Sequence, residues 1–360
     1  MDLPPDRRCG TLPAAPSASG CDARDVTPVR FAILGAAAIA PNALIKPAAA
    51  SPDAEVLAVA ARDRARADAF ATKHGIPRVH DSYEALLADP EIDAVYNPLP
   101  NGLHGHWTVA ALDAGRHVLC EKPFTANADE ARAVAEVARG TDRVLMEAFH
   151  WRYHPMTARI LEVVQGGELG ELRHVAGAFC FPLPRKGDIR WSVPLAGGAL
   201  MDAGCYPVHW VRTVAAAAGF GEPEVVSAES DEGWGGVDRA TRAQLAFPDG
   251  PTGAITCSMW SRRVAAIWLR IEGSEGVLRA RNPLMPPLLG RLKIETAAGK
   301  RVEKPWPGTT YSHQLAAFVA AVRDGAPFPT GVDDAIANMA VIDAIYRAAG
   351  REPNQPTPVL

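Results

Sequence analysis

The sequence predicts an α/β protein in which a doubly wound parallel sheet precedes an α+β domain with a large, open, mostly antiparallel sheet. Two patterns carry this prediction. Between residues 29 and 149, short apolar runs alternate with helical patterns, which is typical of parallel βαβ units. Beyond residue 150, long runs with β character follow one another and are separated by turn pairs, which is typical of antiparallel strands.

Composition places the chain among ordinary globular proteins with about two domains. It has 360 residues, 48% of them hydrophobic and 22% charged, and a net charge of −4. This balance excludes a fully disordered chain and gives no long-range attraction to nucleic acid. No apolar run reaches the roughly 18 residues of a membrane span, and the cysteines form no CxxC pair. We expect a cytoplasmic protein with free thiols, no metal, no nucleic-acid partner and no membrane partner.

The first domain is predicted over residues 29–149, after a disordered tail of residues 1–28 that is rich in Pro, Ser, Gly and Ala. Its first strand, 29–34, is a continuous apolar run that ends at Gly35, as expected for a strand buried on both faces. Further strands are expected at 55–61, 94–96, 117–120 and 144–147. Helices are expected at 41–51, 64–74, 82–87, 106–114 and 128–139.

The second domain, residues 150–360, is predicted to bind substrate and to mediate oligomerisation. Helices are expected at 155–165, 198–217, 311–323 and 332–348. Strands are expected at 172–181, 223–233, 238–247, 252–260, 265–272, 276–281 and 292–297. A large sheet with one uncovered face predicts a homodimer or homotetramer formed through this sheet.

The turn after the first strand carries part of a dinucleotide-binding pattern. A full fingerprint has Gly at positions 35, 37 and 40, whereas residues 35–40 read GAAAIA and contain Gly35 alone. Small residues still let the backbone approach a pyrophosphate at a helix start. A Rossmann-type cofactor turn and an empty tight turn therefore both remain open at this point. The expected cofactor contacts here are Gly35, Ala37, Ala38, Ile39 and Ala40.

The end of the second strand bears on the choice of cofactor. It reads Ala61-Arg62-Asp63, about 20 residues past the turn, where the ribose-binding residue is found in such domains. We interpret Asp63 as the cap of helix 64–74 rather than as a ribose ligand. Arg62, with Arg66 one turn later, then favours the 2′-phosphate of NADP. NAD remains possible, and a solvated helix face is the ordinary alternative for both arginines.

Several short stretches together resemble one known family. The most specific is Glu121-Lys122-Pro123 at the end of a predicted strand, joined by residues 98–101 (PLPN), 147–149 (EAF) and 197–202 (GGALMD). From about residue 29 onward the chain resembles the Gfo/Idh/MocA oxidoreductases. Within that family it is most similar to the branch of dihydrodiol dehydrogenases, NADP-dependent xylose dehydrogenases and deoxysugar ketoreductases. That branch tolerates Ala in the glycine turn.

The resemblance implies that Lys122 is the catalytic lysine and that Asp202 and Tyr206 complete the site. Lys122 also follows a parallel strand, at the sheet edge where open α/β sheets bind ligands. Pro123 restricts Lys122 to an extended backbone and is compatible with a cis peptide. Asp202 and Tyr206 are spaced to share a helix face, although Pro207 disfavours helical geometry at Tyr206. The structural alternative is that Tyr206 is a buried aromatic residue and Asp202 a carboxylate at a helix start.

Further contacts are expected from the resemblance. Those to the cofactor are Pro98, Asn101, His104, Glu121 and Lys122. Those to the substrate are Phe149, Arg152, Arg190, Trp191 and Tyr206. The sets His104/His106 and Glu147/His150/His154 imitate metal ligands, but we interpret them as pocket walls or structural residues, because no complete ligand set is apparent.

The expected activity is an NADP-dependent dehydrogenase or reductase acting on CH–OH groups of a sugar, cyclic polyol or vicinal diol. Tyr206 would exchange the hydroxyl proton, and the Lys122 cation is predicted to lower the pKa of Tyr206. Two alternatives remain. One is a reductase of a nucleotide-linked ketodeoxysugar, with Arg152, Arg185, Lys186 and Arg190 available to a diphosphate. The other is a catalytically silent NADP-sensing regulator.

Overall fold

The first sheet consists entirely of parallel strands, as predicted. The computed structural model describes residues 27–261, 265–304 and 306–359, so most of the predicted tail, residues 1–26, lies outside the described residues. The strands are β1 (Val29–Leu34), β2 (Ala54–Ala60), β3 (Arg78–His80), β4 (Ala94–Asn97), β5 (His117–Cys120) and β6 (Leu145–Glu147). Their order is β3-β2-β1-β4-β5-β6.

Helices connect these strands and begin at polar caps. A π-helical turn at Pro41–Ile45 leads into α1 (Lys46–Ala49), and α2 (Arg64–His74), α3 (Tyr83–Leu87), α4 (His104–Asp113) and α5 (Ala128–Arg139) follow. The side chains of Asp63, Ser82 and Asn127 each accept a backbone N–H of the first helical turn. Such caps satisfy amides that have no partner within the helix.

The strand order places a crevice at the carboxyl edge of this sheet. β1 pairs with β2 on one side and with β4 on the other, so the order reverses there, and open α/β sheets bind ligands at this switch point. The turn after β1, the loop after β4 and residues 121–123 after β5 all leave the sheet at this edge. The predicted cofactor and catalytic segments are therefore brought to one side of the domain.

The second sheet is large and mostly antiparallel, as predicted. Its strands are β7 (Leu172–Cys180), β8 (Glu224–Glu232), β9 (Asp238–Ala246), β10 (Thr252–Ser258), β11 (Ala266–Gly273), β12 (Gly276–Arg281), β13 (Arg291–Thr296) and β14 (Gly299–Glu303). The order is β14-β13-β12-β11-β7-β10-β9-β8, and among the described strands of this second sheet only β7 and β10 pair in parallel.

Helices cover one face of the second sheet. α6 (Pro155–Gln165) precedes β7, and a π-helical turn at Leu200–Gly204 continues into α7 (Cys205–Ala217). α7 packs against β7 at Gly177, where an added Cβ would lie 2.9 Å from the Trp210 ring. The absence of a side chain at Gly177 therefore lets the helix approach the sheet closely.

The last two helices join the two sheets. α8 (Thr310–Asp324) places Phe318 against Phe31 of β1, with ring centroids 5.4 Å apart. α9 (Val332–Ala348) packs against α5, and Asp343 accepts a hydrogen bond from the backbone N–H of Ala128. The end of the chain thus buries surface of both halves. Among the described residues, none of the helices combines the length and apolarity that a membrane crossing requires.

Candidate active site

Lys122 is positioned by the end of β5 and the turn that follows it. The Lys122–Pro123 peptide bond is cis, and the Lys122 side chain is 15% exposed. Its Nζ donates to the carbonyl oxygen of Asp202 at 3.0 Å and lies 3.8 Å from Asp202 Oδ1. The two halves of the predicted site, 80 residues apart in sequence, are therefore in contact.

Pro207 explains why a main-chain oxygen is available to Lys122. Asp202 lies in the π-helical turn, where a carbonyl accepts from the amide five residues later. For Asp202 that residue is Pro207, which has no N–H. The Asp202 carbonyl oxygen accepts instead from Lys122 Nζ, and from the Cys205 thiol at 3.8 Å. The helix predicted over 198–217 is thus present as a π-helical turn that continues into α7, and the change of helix type lies at the site.

Opposite charges keep both groups ionised. Burial alone would lower the pKa of Lys122, but Asp202, with smaller contributions from Cys205 and Glu121, outweighs burial, and the pKa of Lys122 is raised. Burial would raise the pKa of Asp202, but the charges of Lys122 and Arg190 lower it. Arg190 Nε lies 2.9 Å from Asp202 Oδ1. The site therefore carries a lysine cation and an aspartate anion at neutral pH, with Arg190 as a second cation.

Tyr206 lies beneath Lys122 and is almost completely buried. Lys122 Nζ is 5.1 Å from the centroid of the Tyr206 ring, so the cation faces the ring. The Tyr206 hydroxyl is instead 2.9 Å from His150 Nε2. Burial, followed by the nearby Tyr311 and Glu121, raises the pKa of Tyr206 well above its usual value. The prediction that Lys122 lowers the pKa of Tyr206 is wrong for this arrangement, and Tyr206 is a neutral phenol.

His150 contacts Tyr206, and the sequence did not indicate this contact. It follows β6 in a 3-10 turn, His150–Tyr153, and its second ring nitrogen, Nδ1, lies 2.8 Å from Thr310 Oγ1 of α8. The sequence interpretation of His150, a pocket wall or a structural residue, does not include these partners. Its partners are 56 and 160 residues away in sequence, and no local pattern indicates such contacts.

The turn after β1 fits a dinucleotide. Gly35 has φ +85°, and an added Cβ would lie 3.0 Å from Leu99 Cδ2, so only glycine is accommodated without a shift. Ala38 and Ile39 at the tip are exposed, whereas Ala40 is buried at the start of the π-helical turn. This exposed backbone at a helix start is the environment that pyrophosphate prefers.

The two predicted arginines flank this turn. Asp63 Oδ1 accepts from the backbone N–H of Arg66 at 3.2 Å, which confirms the cap interpretation. Arg66 Nη2 donates to the carbonyl oxygen of Ala36 at 2.9 Å, so its guanidinium lies against the turn. Arg62, the residue before the cap, is exposed. Both cations are therefore accessible at the place where an adenosine ribose binds in this fold.

Several predicted cofactor residues have structural partners. His104 is 1% exposed, and its ring nitrogens lie 2.8 Å from the carbonyl oxygen of Pro123 and 2.7 Å from that of Leu99. Asn101 donates to the carbonyl oxygen of Ala196 in the second domain. His104 therefore fixes the loop after β4 to the turn that carries Lys122, and its side chain does not face the crevice.

The remaining two predicted cofactor residues lie deeper than expected. Glu121 is 7% exposed and accepts from the Tyr96 hydroxyl at 2.7 Å. Burial raises the pKa of Glu121. Pro98 is also buried. Both support the sheet edge beneath Lys122, and their predicted contacts with the cofactor stay predictions.

The predicted substrate residues differ in how they are placed relative to Lys122, Asp202 and Tyr206. Arg190 reaches the site through Asp202, as described above. Phe149 is fully buried, with its ring stacked on His209 and edge-on to Tyr206 at 5.4 Å. Trp191 is 6% exposed and packs against Trp234. Burial lowers the pKa of Arg152, and Asp334 is its main carboxylate neighbour. The predicted contacts of Phe149, Trp191 and Arg152 with substrate therefore stay predictions.

The metal-like sets are explained by these contacts. Within residues 27–261, 265–304 and 306–359, three or more His, Cys, Asp or Glu side chains nowhere come together as a metal site. His150 binds Tyr206 and Thr310, and His154 caps α6 through Met156 N. Burial raises the pKa of Glu147 well above its usual value.

Two family models match most of the chain. Residues 29–149 match the model described as an oxidoreductase family with an NAD-binding Rossmann fold. Residues 157–279 match the GFO/IDH/MocA C-terminal domain.

Individual proteins are similar over nearly the whole length. D-xylose 1-dehydrogenase (NADP(+)) 2 of Haloferax volcanii is 40% identical over 324 residues, covering 89% of this chain and 97% of the relative. A dTDP-3,4-didehydro-2,6-dideoxy-α-D-glucose 3-reductase of Streptomyces antibioticus is 35% identical over 309 residues, covering 82% and 89%. A 3-ketoreductase from Actinomadura kijaniata, crystallised with NADP and TDP-benzene, has a TM-score of 0.82 at 30% identity, covering 89% and 98%.

Proposed function

The chain belongs to the Gfo/Idh/MocA oxidoreductase family, and from that premise we propose an NADP-dependent dehydrogenase or reductase of a sugar, cyclic polyol or vicinal diol. One observation carries the proposal. An ionised Lys122, held above the ring of Tyr206 by Asp202, which itself pairs with Arg190, lies at the carboxyl edge of the parallel sheet. A cation and a proton-exchanging phenol are the groups that reversible oxidation of a carbinol needs.

The proposed cofactor site uses the turn after β1 and the end of β2. Residues 35–40 would receive the pyrophosphate, and Arg62 and Arg66 the 2′-phosphate. When bound, NADP supplies hydride exchange with the substrate carbon. The relatives support this choice, because the Haloferax volcanii enzyme is described as NADP-dependent and the Actinomadura kijaniata enzyme was crystallised with NADP.

The roles proposed for the chain's own residues follow from their charges. Lys122 binds the substrate oxygen and stabilises negative charge that develops there. Asp202 holds Lys122 in place and favours its protonated form, and Arg190 pairs with Asp202 and keeps that carboxylate ionised. Tyr206 exchanges a proton with the substrate hydroxyl, starting from its neutral form, since burial raises its pKa.

A second substrate class has support of its own. The similarity to ketoreductases includes a structure with a nucleotide analogue, TDP-benzene. In this chain Arg185 and Lys186 are exposed in the loop that carries Arg190, and Lys186 Nζ lies 5.3 Å from the centroid of the Trp234 ring. A nucleotide-linked ketodeoxysugar would use these cations for its diphosphate. It would be reduced by the same site.

We also propose that the open face of the second sheet binds a second copy of the chain. On this face the strands β11–β13 carry Arg270, Arg279 and Lys293, which outnumber their partners Glu272 and Glu295, whereas β8 presents Glu229 and Asp231. Rotation of a second copy by 180° about an axis parallel to the central strands brings the basic half of one sheet to the acidic half of the other. This arrangement is an isologous dimer.

The test is a coupled screen of the purified protein. NADP+ is offered with D-xylose, other aldoses, cyclic polyols and trans-diols, and NADPH with ketosugars free and linked to dTDP. We expect turnover within one of these classes and its loss in Lys122→Met. If NADPH binds tightly and no panel member turns over, the protein is the NADP-binding regulator instead. If Lys122→Met retains full turnover, the proposed role of Lys122 is wrong.

A further inference from the structure

A line of hydrogen bonds begins at the proposed catalytic tyrosine and leads away from Lys122. Tyr206 Oη lies 2.9 Å from His150 Nε2, and His150 Nδ1 lies 2.8 Å from Thr310 Oγ1. Thr310 Oγ1 donates in turn to the carbonyl oxygen of Leu284 at 3.1 Å. His150 is 3% exposed and Thr310 is 2% exposed, so bulk water does not compete for these bonds.

The carbonyl oxygen of Leu284, at the end of this line of hydrogen bonds, determines which atom donates in each bond. A carbonyl oxygen can only accept, so the single hydrogen of the Thr310 hydroxyl is directed to Leu284. Thr310 Oγ1 must therefore accept from His150, which places the imidazole hydrogen on Nδ1. His150 Nε2 then carries a lone pair and accepts from the Tyr206 hydroxyl. The hydrogen of Tyr206 is directed to His150, and the remaining lone pairs of its oxygen are free to accept.

The surroundings keep His150 neutral. Lys122 follows β5, His154 lies in the same segment as His150, and Tyr311 of α8 packs on the imidazole with ring centroids 4.2 Å apart. Burial first, and then the charges of Lys122 and His154, lower the pKa of His150 to about 3. A neutral imidazole is the form that can accept the tyrosine hydrogen, and the low pKa of His150 means that an imidazolium formed during the reaction readily returns its proton.

We propose that His150 is the positioning residue for proton transfer at Tyr206: it orients the Tyr206 hydroxyl and receives its proton while the substrate hydroxyl passes its own proton to Tyr206. This inference rests on the proposed dehydrogenase function. His150 acts through Tyr206, and Thr310 acts through His150. No contact between His150 and substrate is required.

The step balances in atoms and electrons. Oxidation of a carbinol releases a hydride, which takes both electrons of the C–H bond to the dinucleotide, and a proton from the O–H bond. That proton forms the new O–H bond of Tyr206, while the old O–H bond breaks and its proton binds His150 Nε2. After the product leaves, the imidazolium returns the proton to Tyr206, which releases one to water in the vacated site. Reduction follows the reverse sequence.

The test compares two substitutions of His150 and a matched control. His150→Gln keeps a hydrogen-bond acceptor near the Nε2 position but cannot take up a proton, and His150→Leu keeps neither property. His154→Asn is the control, because asparagine retains the capping role of His154 at α6. Single-turnover hydride transfer is measured against pH and against the deuterium fraction of the solvent.

We expect both His150 variants to lose about 100-fold in hydride-transfer rate, within the range for general acid–base groups. Their affinities for NADPH should stay within twofold of wild type. The dependence on solvent deuterium should be curved for wild type and His154→Asn, since two protons move, and linear for His150→Gln. A His150→Gln rate within threefold of wild type overturns the inference.

A second measurement separates this inference from the proposed function. Nitrogen NMR of ¹⁵N-histidine-labelled protein, assigned with His150→Gln, reads the tautomer of His150 without any turnover. We expect hydrogen on Nδ1 and a shift of the Nε2 signal in Tyr206→Phe. Hydrogen on Nε2, or an Nε2 signal that does not shift in Tyr206→Phe, refutes the proposed role of His150. Absence of turnover by the wild-type protein, with the expected NMR result, refutes the dehydrogenase function alone.

Discussion

At the scale of single residues, the charge of Lys122 is the property on which the site depends. Its ammonium is mostly buried, and an isolated buried lysine tends to lose its proton. Here the Asp202 carboxylate, with a contribution from Glu121, reverses that tendency. The sequence identified Lys122, Asp202 and Tyr206 through a family resemblance. It indicated His150 only as a pocket wall or a structural residue, because the contacts of His150 with Tyr206 and Thr310 depend on the packing of α7 and α8 against the turn after β6.

Replacing Lys122 tests this charge directly. We expect Lys122→Met to lower kcat about 100-fold to 10,000-fold, because it removes the cation at the reacting oxygen while keeping the side-chain volume. Binding of NADPH should change by no more than a few-fold. Lys300→Met, which replaces an exposed lysine near the start of β14, is the control and should retain full activity. Steady-state kinetics with the substrate found in the screen provides the measurement.

The arginines beside the turn after β1 provide a second residue-scale prediction. Hydrogen bonds to charged groups contribute about 1.5–3 kcal/mol each, so Arg62→Ala or Arg66→Ala should weaken NADPH binding by roughly 10-fold to 100-fold. NADH binding should hardly change. Arg64→Ala is a matched control, because Arg64 begins the same helix but pairs with Asp68 of that helix and with Asp81 after β3. Equal losses for NADPH and NADH in the Arg66 variant would contradict the assignment.

At the scale of elements, most strands and helices could be predicted because their apolar periods are clear. β1 and α5 have the predicted bounds, Val29–Leu34 and Ala128–Arg139. β3 and β14 were missed. β3 has three half-buried residues, and β14 is largely exposed and polar. Neither carries an apolar run, and each exists because a neighbouring strand offers an edge to pair with.

The ion pairs between α7 and α9 give a prediction at the element scale. Asp334 of α9 lies 2.8 Å from His209 Nε2 and 3.0 Å from Arg212 Nη1, both on α7. Burial alone would raise the pKa of Asp334, but His209 and Arg212 lower it from 3.8 to about 2. A carboxyl with a lowered folded-state pKa stabilises the fold above its unfolded pKa, and this stability is lost as the pH falls from about 4 toward 2.

Asp334→Asn should therefore have a pH-dependent effect. The wild type should exceed the variant by about 2 kcal/mol in the free energy of unfolding at pH 6. The difference should shrink as the pH approaches 2. Urea unfolding followed by tryptophan fluorescence measures it. Asp333→Asn, which removes an exposed partner of Arg139, should show little effect at any pH. A constant difference for Asp334→Asn between pH 6 and 2 would refute the electrostatic account.

At the scale of the whole molecule, the site exists only where the two sheets meet. Lys122 comes from the first sheet, Asp202 and Tyr206 from the helix on the second, and Thr310 from a helix that packs back onto the first. The doubly wound sheet and the large open sheet were both predicted from the sequence. Their relative placement was not, because contacts such as that of Asn101 with Ala196 join loops with no pattern of their own.

The proposed dimer is a property of the whole molecule as well. Thr256 lies on β10, near the middle of the open face, between the inward-facing Ile255 and Cys257. We expect the wild-type protein to sediment as a dimer and Thr256→Arg to sediment as a monomer, since a buried unpaired cation disfavours the interface. Glu136→Arg on α5 is exposed and outside this face, and should leave the mass unchanged. A monomeric wild-type protein would contradict this arrangement.

The central claim, an NADP-dependent enzyme built on a modified glycine turn, is tested most directly by titrating the wild-type protein with NADPH and with NADH and following fluorescence. The account predicts that NADPH binds at least about tenfold more tightly, since the 2′-phosphate meets Arg62 and Arg66. Equal or tighter binding of NADH would indicate that Asp63 binds the ribose, and it would contradict the 2′-phosphate assignment. Binding of neither nucleotide would contradict the function as a whole.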